Sequence, residues 1–152
     1  MHDADWRWLW AAYQMGMWNE GMPGGLNRQG FVDTMTDWLG MANLDWVFEV
    51  KGPNGLRPIA LAIGLYRAGT RAIEPHIDFF PWATPRHKFE VVATFMKEAG
   101  KQYKVFVYAD GKTQKFWDRI WQYRILKKGC TINDYFAPGE SAVFYYTPGP
   151  FV

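Results

Sequence analysis

Residues 73–108, IEPHIDFFPWATPRHKFEVVATFMKEAGKQYKVFVY, decide the fold. An apolar run ends at Trp82, and a helix start follows at once, because Thr84 is a suitable N-cap and Pro85 suits the first helical position. Apolar residues then recur at helical spacing until Gly100, after which a second apolar run begins. A strand, a helix and a strand of this length predict a βαβ unit with two parallel strands.

The start of this helix carries three basic residues in a row, Arg86, His87 and Lys88. Cations are unfavourable at a helix N-terminus by some tenths of a kcal/mol. A bound anion would neutralise the cluster and accept hydrogen bonds from the first backbone N–H groups. The pattern therefore favours a phosphate site, and an ordinary solvated first turn is the alternative.

Two helices and two strands precede this stretch. The apolar residues of 5–18 and 27–40 follow a helical period. Segments 45–50 and 57–66 are strand-like instead, and the Lys-Gly-Pro-Asn-Gly sequence between them is a strong turn signal. Together with the strand at 72–82, these segments predict an antiparallel meander of three strands.

A last helix and a hairpin follow the stretch. Residues 110–113 open the helix, which we expect to end at Lys127-Lys128-Gly129, because cations suit the last turn and glycine suits the position after it. Strands at 130–136 and 141–147 then form a hairpin around Pro138-Gly139. The predicted fold class is α/β with an α+β mixed sheet: antiparallel strands, a central parallel βαβ step and flanking helices, in a single domain of residues 1–152.

Composition and charge exclude several classes of protein. A chain of 152 residues is long enough for one hydrophobic core, and its net charge of +2 is too small to indicate a nucleic-acid-binding module. No apolar run approaches the roughly 20 residues of a membrane span. The one cysteine forms no internal disulfide, which suits a reducing cytoplasm, so we expect a cytoplasmic protein. Nine Trp residues exceed the usual need of one core, so some should line a groove or an interface.

The order helix, helix, three strands, helix, strand, helix, two strands resembles the GCN5-related N-acetyltransferase (GNAT) family. The resemblance covers about residues 6–146 and implies that the strands ending at Trp82 and beginning at Tyr103 splay apart. Acetyl-CoA or another acyl-CoA would enter between them and lay its pyrophosphate on the N-terminus of the connecting helix. The aromatic richness and small size also resemble divergent GNAT-like proteins of bacteriophages, which would place the protein in the cytoplasm of a host.

This resemblance implies a cofactor site at the strand-to-helix junction, where backbone N–H groups would hold the thioester carbonyl and the first helical turn would hold the pyrophosphate. The residues implied are Phe79, Phe80, Trp82, Thr84, Arg86, His87 and Lys88. The family's phosphate loop reads Arg or Gln, two residues, Gly, one residue, Gly or Ala, and Arg86 matches its first position. Phe89 and Val91 stand where the two small residues are expected.

Four residues are candidates for catalysis. Glu74, His76 and Asp78 alternate with apolar residues, so a strand's period of two puts them on one face. In the GNAT-like geometry this face opens on the cleft, where one of them would take a proton from the acceptor amine. Alternatives are a solvated face paired with Lys or Arg and a metal site. Tyr123 is the nearest match to the family's Tyr that protonates the leaving thiolate.

Two further residue types have a plain structural interpretation. Cys130 has no nearby His in sequence, which indicates a small buried hydrophobic residue rather than a nucleophile. Trp6, Trp10 and Trp38 indicate packing between the first two helices, with stacking on a nucleotide acceptor as the alternative.

In the family those two helices and the loop between them form the acceptor side of the cleft. The resemblance therefore implies acceptor contacts from Trp18, Glu20 and the Gly24-Gly25 loop.

The resemblance implies an enzyme, an acyl-CoA-dependent N-acyltransferase in which an amine attacks the thioester directly and the cleft supplies proximity and orientation. The acceptor stays open between a modified nucleobase, a nucleotide or DNA base, and a protein amine, and a homodimer stays open as well. The alternative is a structural or interaction protein on the same fold, such as a virion component, that has lost its cofactor site. Phe89 and Val91 favour this alternative, and the abundant Trp would then form a protein interface.

Overall fold

A computed structural model describes residues 3–18, 22–67 and 69–149 of the protein. Helical and strand-like apolar periods produce ten elements, with all the predicted types in the predicted order. The elements are α1 (Asp3–Gln14), α2 (Arg28–Met41), β1 (Leu44–Gly52), β2 (Gly55–Tyr66), β3 (Ala72–Phe79), α3 (Pro85–Ala99), β4 (Lys104–Ala109), α4 (Gln114–Gln122), β5 (Lys127–Ala137) and β6 (Glu140–Tyr146).

The six strands form one mixed sheet in the order β1-β2-β3-β4-β6-β5. β1 pairs with β2 antiparallel, β3 pairs with β4 parallel, and β6 pairs antiparallel with both β4 and β5. Helices flank this sheet. The predicted α/β class with a central parallel βαβ step is therefore confirmed.

The parallel step is short. β3 and β4 pair at Ala72 with Lys104 and at Ile73 with Val105, and the ladder stops there. Pro75 follows two residues later, and it has no backbone N–H to donate to a ladder. The sequence therefore limits how far this parallel pairing can extend.

The contacts of the chain divide it into two compact units. The first unit consists of residues 1–65 and 76–88. Its core comes from α1, the turn and loop that follow α1, α2, β2 and the residue after β3: Leu9, Ala12, Met17, Met22, Phe31, Met35, Leu61, Ile63 and Phe80. Trp6, Trp10 and Trp38 pack against this core, which confirms the packing predicted for them.

The second unit consists of residues 66–75 and 89–152. Its buried side chains come from α3, β4, α4 and β6 and include Val92, Phe95, Val105, Ile120 and Tyr145. The prediction of a single domain, 1–152, stays a prediction beside this division.

Two hydrogen bonds to one carboxylate oxygen connect α4 to the strands within the second unit. The hydroxyl group of Tyr145 on β6 donates to Oδ1 of Asp118 on α4 at 2.6 Å, and Nζ of Lys128 on β5 donates to the same oxygen at 2.9 Å. These bonds hold the pKa of Asp118 below its ordinary value, with the Tyr145 bond as the larger cause.

Two predicted element ends are wrong. β3 ends at Phe79 rather than Trp82, because the N–H of Ala83 donates to the carbonyl of Phe80 at 2.9 Å and closes a turn. α1 ends at Gln14 rather than continuing to Trp18, and four residues of turn follow it.

The predicted end of α4 is wrong as well. The helix stops at Gln122, and Arg124 adopts a left-handed conformation with φ of 59° that ends it. Lys127, Lys128 and Gly129 are therefore not the last turn and cap of α4 but the first residues of β5. Lys127 pairs there with Tyr146 of β6, so cross-strand pairing outweighs the helix-ending pattern of two Lys and a Gly.

No helix among the described residues is long and apolar enough to cross a membrane.

Candidate active site

α3 begins with two reciprocal hydrogen bonds between Thr84 and His87. The backbone N–H of His87 donates to Oγ1 of Thr84 at 3.2 Å, and the backbone N–H of Thr84 donates to Nδ1 of His87 at 3.3 Å. The carbonyl of Thr84 also accepts the first helical bond, from the N–H of Lys88. This is a capping box in which His takes the place of Glu or Gln, and it confirms the predicted helix start at Thr84 and Pro85.

The cap uses backbone donors that the resemblance assigns to a pyrophosphate. The N–H groups of Thr84 and His87 are bonded, and Pro85 has none to offer. The side chains of Arg86 and Lys88 are exposed on the same turn and supply two positive charges. The residues present therefore fit a phosphate by side-chain charge, and the backbone donors join only if the cap opens.

The aromatic residues before the helix are held by the first unit. The N–H of Phe80 donates to the carbonyl of Ile59 at 3.0 Å, and the side chain of Phe80 is buried in the core. The indole N–H of Trp82 donates to the carbonyl of Pro58 at 2.7 Å. The backbone N–H of Phe80, one of the donors predicted to hold the thioester carbonyl, is thus already used inside the protein, and so is the indole N–H of Trp82. Phe79 lies at the end of β3 with its ring centroid 5.6 Å from Nζ of Lys88.

A cation that the sequence did not reveal fixes Trp82. The guanidinium group of Arg57 lies 4.3 Å from the ring centroid of Trp82 and 5.6 Å from that of Trp8. Cation–π contacts of this kind contribute about 0.5–1 kcal/mol at exposed sites. Arg57 is on β2, far from Trp82 in sequence, so no local pattern connects the two residues.

The three ionisable residues of β3 differ in environment. Glu74 and His76 are exposed, whereas Asp78 is half-buried. Burial raises the pKa of Asp78, while the Trp18 indole and the charge of His76 act in the opposite direction and lower that pKa. Glu74 belongs to the second unit, and His76 and Asp78 belong to the first. The predicted alternation along β3 is therefore present, and Asp78 is its one half-buried carboxyl group.

In the second unit, the ring of Phe89 packs against α4. Its centroid lies 5.6 Å from that of Tyr123 and 6.1 Å from that of Phe116, both in edge-on geometry. The guanidinium group of Arg119 lies 4.7 Å from the centroid of Phe89. Phe89, which stands where the resemblance places a loop glycine, is thus held by contacts with α4 and with the residue after it. Tyr123, the candidate proton donor, follows the last residue of α4 and is 65% exposed.

The remaining candidate residues that the structure describes lie on β5 and in the loop before α2. Cys130 is exposed on β5, so its predicted burial is wrong, because β5 starts earlier than expected and its outer face is solvated. Glu20 lies outside the described residues. Gly25, in the loop before α2, has a φ of 72°, which suits glycine. Among the described residues, no group of three His, Cys, Asp or Glu side chains is arranged to hold a metal ion.

Solved structures that share this architecture include N-acetyltransferases. A spermidine N-acetyltransferase chimera of SpeG from Vibrio cholerae and hSSAT has a TM-score of 0.62 at 11% identity, covering 97% of this chain and 93% of that chain. An N-acetyltransferase from Staphylococcus aureus Mu50 has a TM-score of 0.60 at 14% identity, with 96% and 93% covered. A ribosomal-protein alanine N-acetyltransferase from Escherichia coli has a TM-score of 0.53 at 10% identity, with 100% and 92% covered.

No protein-family model matches the chain, and no curated protein matches it. The structural likeness therefore shows the fold alone. It confirms the GNAT-like fold that the order of elements predicted. Any activity has to be argued from the chemistry of the residues.

Proposed function

We propose that this protein is an N-acyltransferase that moves an acetyl or related acyl group from acyl-CoA to an amine acceptor. The observation that carries the proposal is Asp78, a half-buried carboxyl group with a raised pKa, on the strand that leads into the basic start of α3. A base works best when its pKa lies near the operating pH, and partial burial moves a carboxyl group in that direction. The likeness of the fold to N-acetyltransferases supports the reaction class.

In this proposal, acyl-CoA supplies a thioester whose acyl carbon is attacked by the acceptor nitrogen. A carboxylate oxygen of Asp78 accepts the proton that the nitrogen loses as the C–N bond forms and the C–S bond breaks. Tyr123, the residue that the resemblance implies for this role, would donate a proton to the leaving sulfur. Since it belongs to the second unit, its role is tested separately, by Tyr123→Phe.

The phosphates of the acyl donor would be held by Arg86 and Lys88. Both side chains are exposed on the first turn of α3 and provide charge-assisted hydrogen bonds. The two cap bonds between Thr84 and His87, at 3.2 and 3.3 Å, are longer than the usual 2.9–3.0 Å or so. We propose that they open on binding and release two backbone N–H groups to the phosphate oxygens.

A second function is favoured by the closed cap and by Phe89. Phe89 fills the position of a loop glycine, and its contacts with Phe116, Tyr123 and Arg119 hold its ring in place. A protein in which these features block acyl-CoA would be a structural or interaction protein on the same fold, such as a component of a bacteriophage virion.

A transfer assay separates the two functions. Purified protein is incubated with acetyl-CoA and, in turn, with spermidine, a peptide with N-terminal alanine and a nucleoside carrying an alkyl amine. Thiol release and the mass of the product report transfer. The proposal predicts an acetylated product that disappears with Asp78→Asn and persists with Asp37→Asn, a matched change at an exposed residue of α2. No product from any acceptor, together with no binding of acetyl-CoA, would assign the second function.

A further inference from the structure

The turn after α1 holds Trp18 in an unfavourable backbone conformation. Its φ is 69°, in the left-handed region that costs a non-glycine residue about 1–2 kcal/mol. The carbonyl of Trp18 accepts a hydrogen bond from the N–H of Met22 at 3.0 Å, and its ring packs on Phe31 with centroids 5.9 Å apart. The surrounding structure therefore imposes this conformation on Trp18 and fixes the direction of its indole.

The polar atom of that indole is buried without a regular partner. Nε1 of Trp18 has no hydrogen-bond acceptor among the described residues, although a buried unsatisfied donor costs about 1–3 kcal/mol. The group beside it is the carboxyl of Asp78, whose pKa the indole N–H lowers. A residue in a strained backbone conformation, with a buried unsatisfied donor that acts on a half-buried carboxyl group, is an arrangement typical of functional sites.

We propose that Trp18 is a positioning residue for Asp78: its indole N–H completes a hydrogen bond to one oxygen of the Asp78 carboxylate and leaves the other oxygen to the acceptor amine. This inference rests on the proposed function of Asp78 as the proton acceptor. The bond closes when the carboxyl group is ionised, because an ionised acceptor forms stronger and shorter hydrogen bonds than a neutral one. Trp18 thus keeps the base oriented in the state that accepts a proton.

Among the described residues, two groups lower the pKa of Asp78 and burial opposes them. His76, two residues away on the same face of β3, lowers the pKa of Asp78 through its charge, and Trp18 lowers it through its N–H, while burial raises it. Removing the indole N–H therefore moves the pKa of Asp78 further upward. Replacing Trp18 with Phe keeps a ring to pack on Phe31 but deletes the donor.

The first test needs no enzymatic activity. Protein labelled with ¹⁵N at the Trp indoles is titrated from pH 3 to 8, and the Trp18 resonance is assigned by its loss in Trp18→Phe. We expect that resonance to move downfield in ¹H as the carboxyl group ionises and the hydrogen bond forms, with a midpoint above pH 3.8, the ordinary pKa of Asp. Asp78→Asn should remove this transition. A Trp18 resonance that keeps the same transition in Asp78→Asn, or shows none, overturns the proposal.

The indole of Trp82 serves as the internal control, because it already donates to the carbonyl of Pro58 at 2.7 Å. Its resonance should stay unchanged through the Asp78 transition. It also reports whether each variant is folded.

The second test uses the pH profile of acyl transfer. In Trp18→Phe the acid limb of kcat/KM should move to higher pH relative to the wild-type protein, because the base loses the donor that stabilises its ionised form. A lower rate with an unmoved acid limb would indicate a structural role and overturn the proposal. If the protein transfers no acyl group, the proposed function fails, and the indole titration still decides whether Trp18 and Asp78 are coupled.

Discussion

Thr84 and His87 close the N-terminus of α3 by bonding each other's backbone N–H groups, at 3.2 and 3.3 Å. The same two N–H groups are the ones a phosphate at this turn would use. The structure shows the junction in its capped state, and the proposed function requires the cap to open on binding.

Thr84→Ala should destabilise the protein by about 1 kcal/mol, because the helix loses its N-cap oxygen. For a chain of this size the melting temperature should fall by about 2–4 °C. Thr84→Ser, which keeps the hydroxyl oxygen, should remain near the wild type. Thermal unfolding followed by circular dichroism measures both variants, and equal melting temperatures for Thr84→Ala and Thr84→Ser would contradict the cap.

Phe89 and Tyr123 should be energetically coupled. Their rings meet edge-on at 5.6 Å, and such pairs contribute about 0.5–1.5 kcal/mol beyond the area they bury. A double-mutant cycle with Phe89→Leu and Tyr123→Leu, measured by chemical denaturation, should return a coupling energy in that range. The control cycle combines Phe89→Leu with Tyr66→Leu, because the ring of Tyr66 packs on Tyr103, and it should return a coupling energy near zero. A coupling near zero in both cycles would show that α4 does not hold the Phe89 ring.

Tyr145→Phe should destabilise the protein at pH 7 and to a smaller extent at pH 3. Asp118 has a lowered pKa in the folded state, with the Tyr145 hydrogen bond as its main cause. Its contribution is therefore present above the unfolded pKa of 3.8 and is lost as the pH falls through the lower, folded pKa.

A hydrogen bond to a charged group contributes about 1.5–3 kcal/mol where solvent is excluded. The Asp118 side chain is 31% exposed, so water screens this bond, and the difference between wild type and Tyr145→Phe should be about 1 kcal/mol at pH 7. Chemical denaturation at both pH values measures it. A difference of the same size at pH 3 would show that the ionised Asp118 carboxylate is not what the Tyr145 hydroxyl stabilises.

Asp78→Asn should reduce acyl transfer far more than changes at its neighbours on β3. Removing a general base typically costs about 10²–10⁴-fold in rate. Glu74→Gln and His76→Gln should cost under about tenfold, because those side chains are exposed and solvent can replace them. Steady-state kinetics with the best acceptor of the panel compares the three. A larger loss with Glu74→Gln or His76→Gln would move the base to that residue.

Local sequence signals predicted much of this fold because the tertiary packing favours the same local conformations. Thr84 and Pro85 mark the start of α3, because a backbone N–H of the first helical turn donates to the hydroxyl oxygen of Thr84. The alternation of Glu74, His76 and Asp78 fixed one face of β3 in the same way.

The wrong or missing predictions concern residues whose conformation or contacts depend on partners distant in sequence. Lys127-Lys128-Gly129 looks like the end of a helix, yet pairing with β6 recruits it into β5, and nothing local in the sequence reports that partner. Arg57 and Trp82, on distant segments, meet only once the chain is folded. The resemblance placed Trp18 on the acceptor side of the cleft, but its left-handed backbone, which its residue type disfavours, could not be predicted from the sequence.

The most direct measurement is isothermal titration of the protein with acetyl-CoA at low and moderate salt. We expect binding in the micromolar range, weakened about tenfold, or about 1.4 kcal/mol, by Arg86→Ala or Lys88→Ala and further weakened by salt. Lys51→Ala, which removes an exposed cation elsewhere in the first unit, should bind like the wild type. No heat at millimolar acetyl-CoA, or equal affinity in all four proteins, would contradict the account.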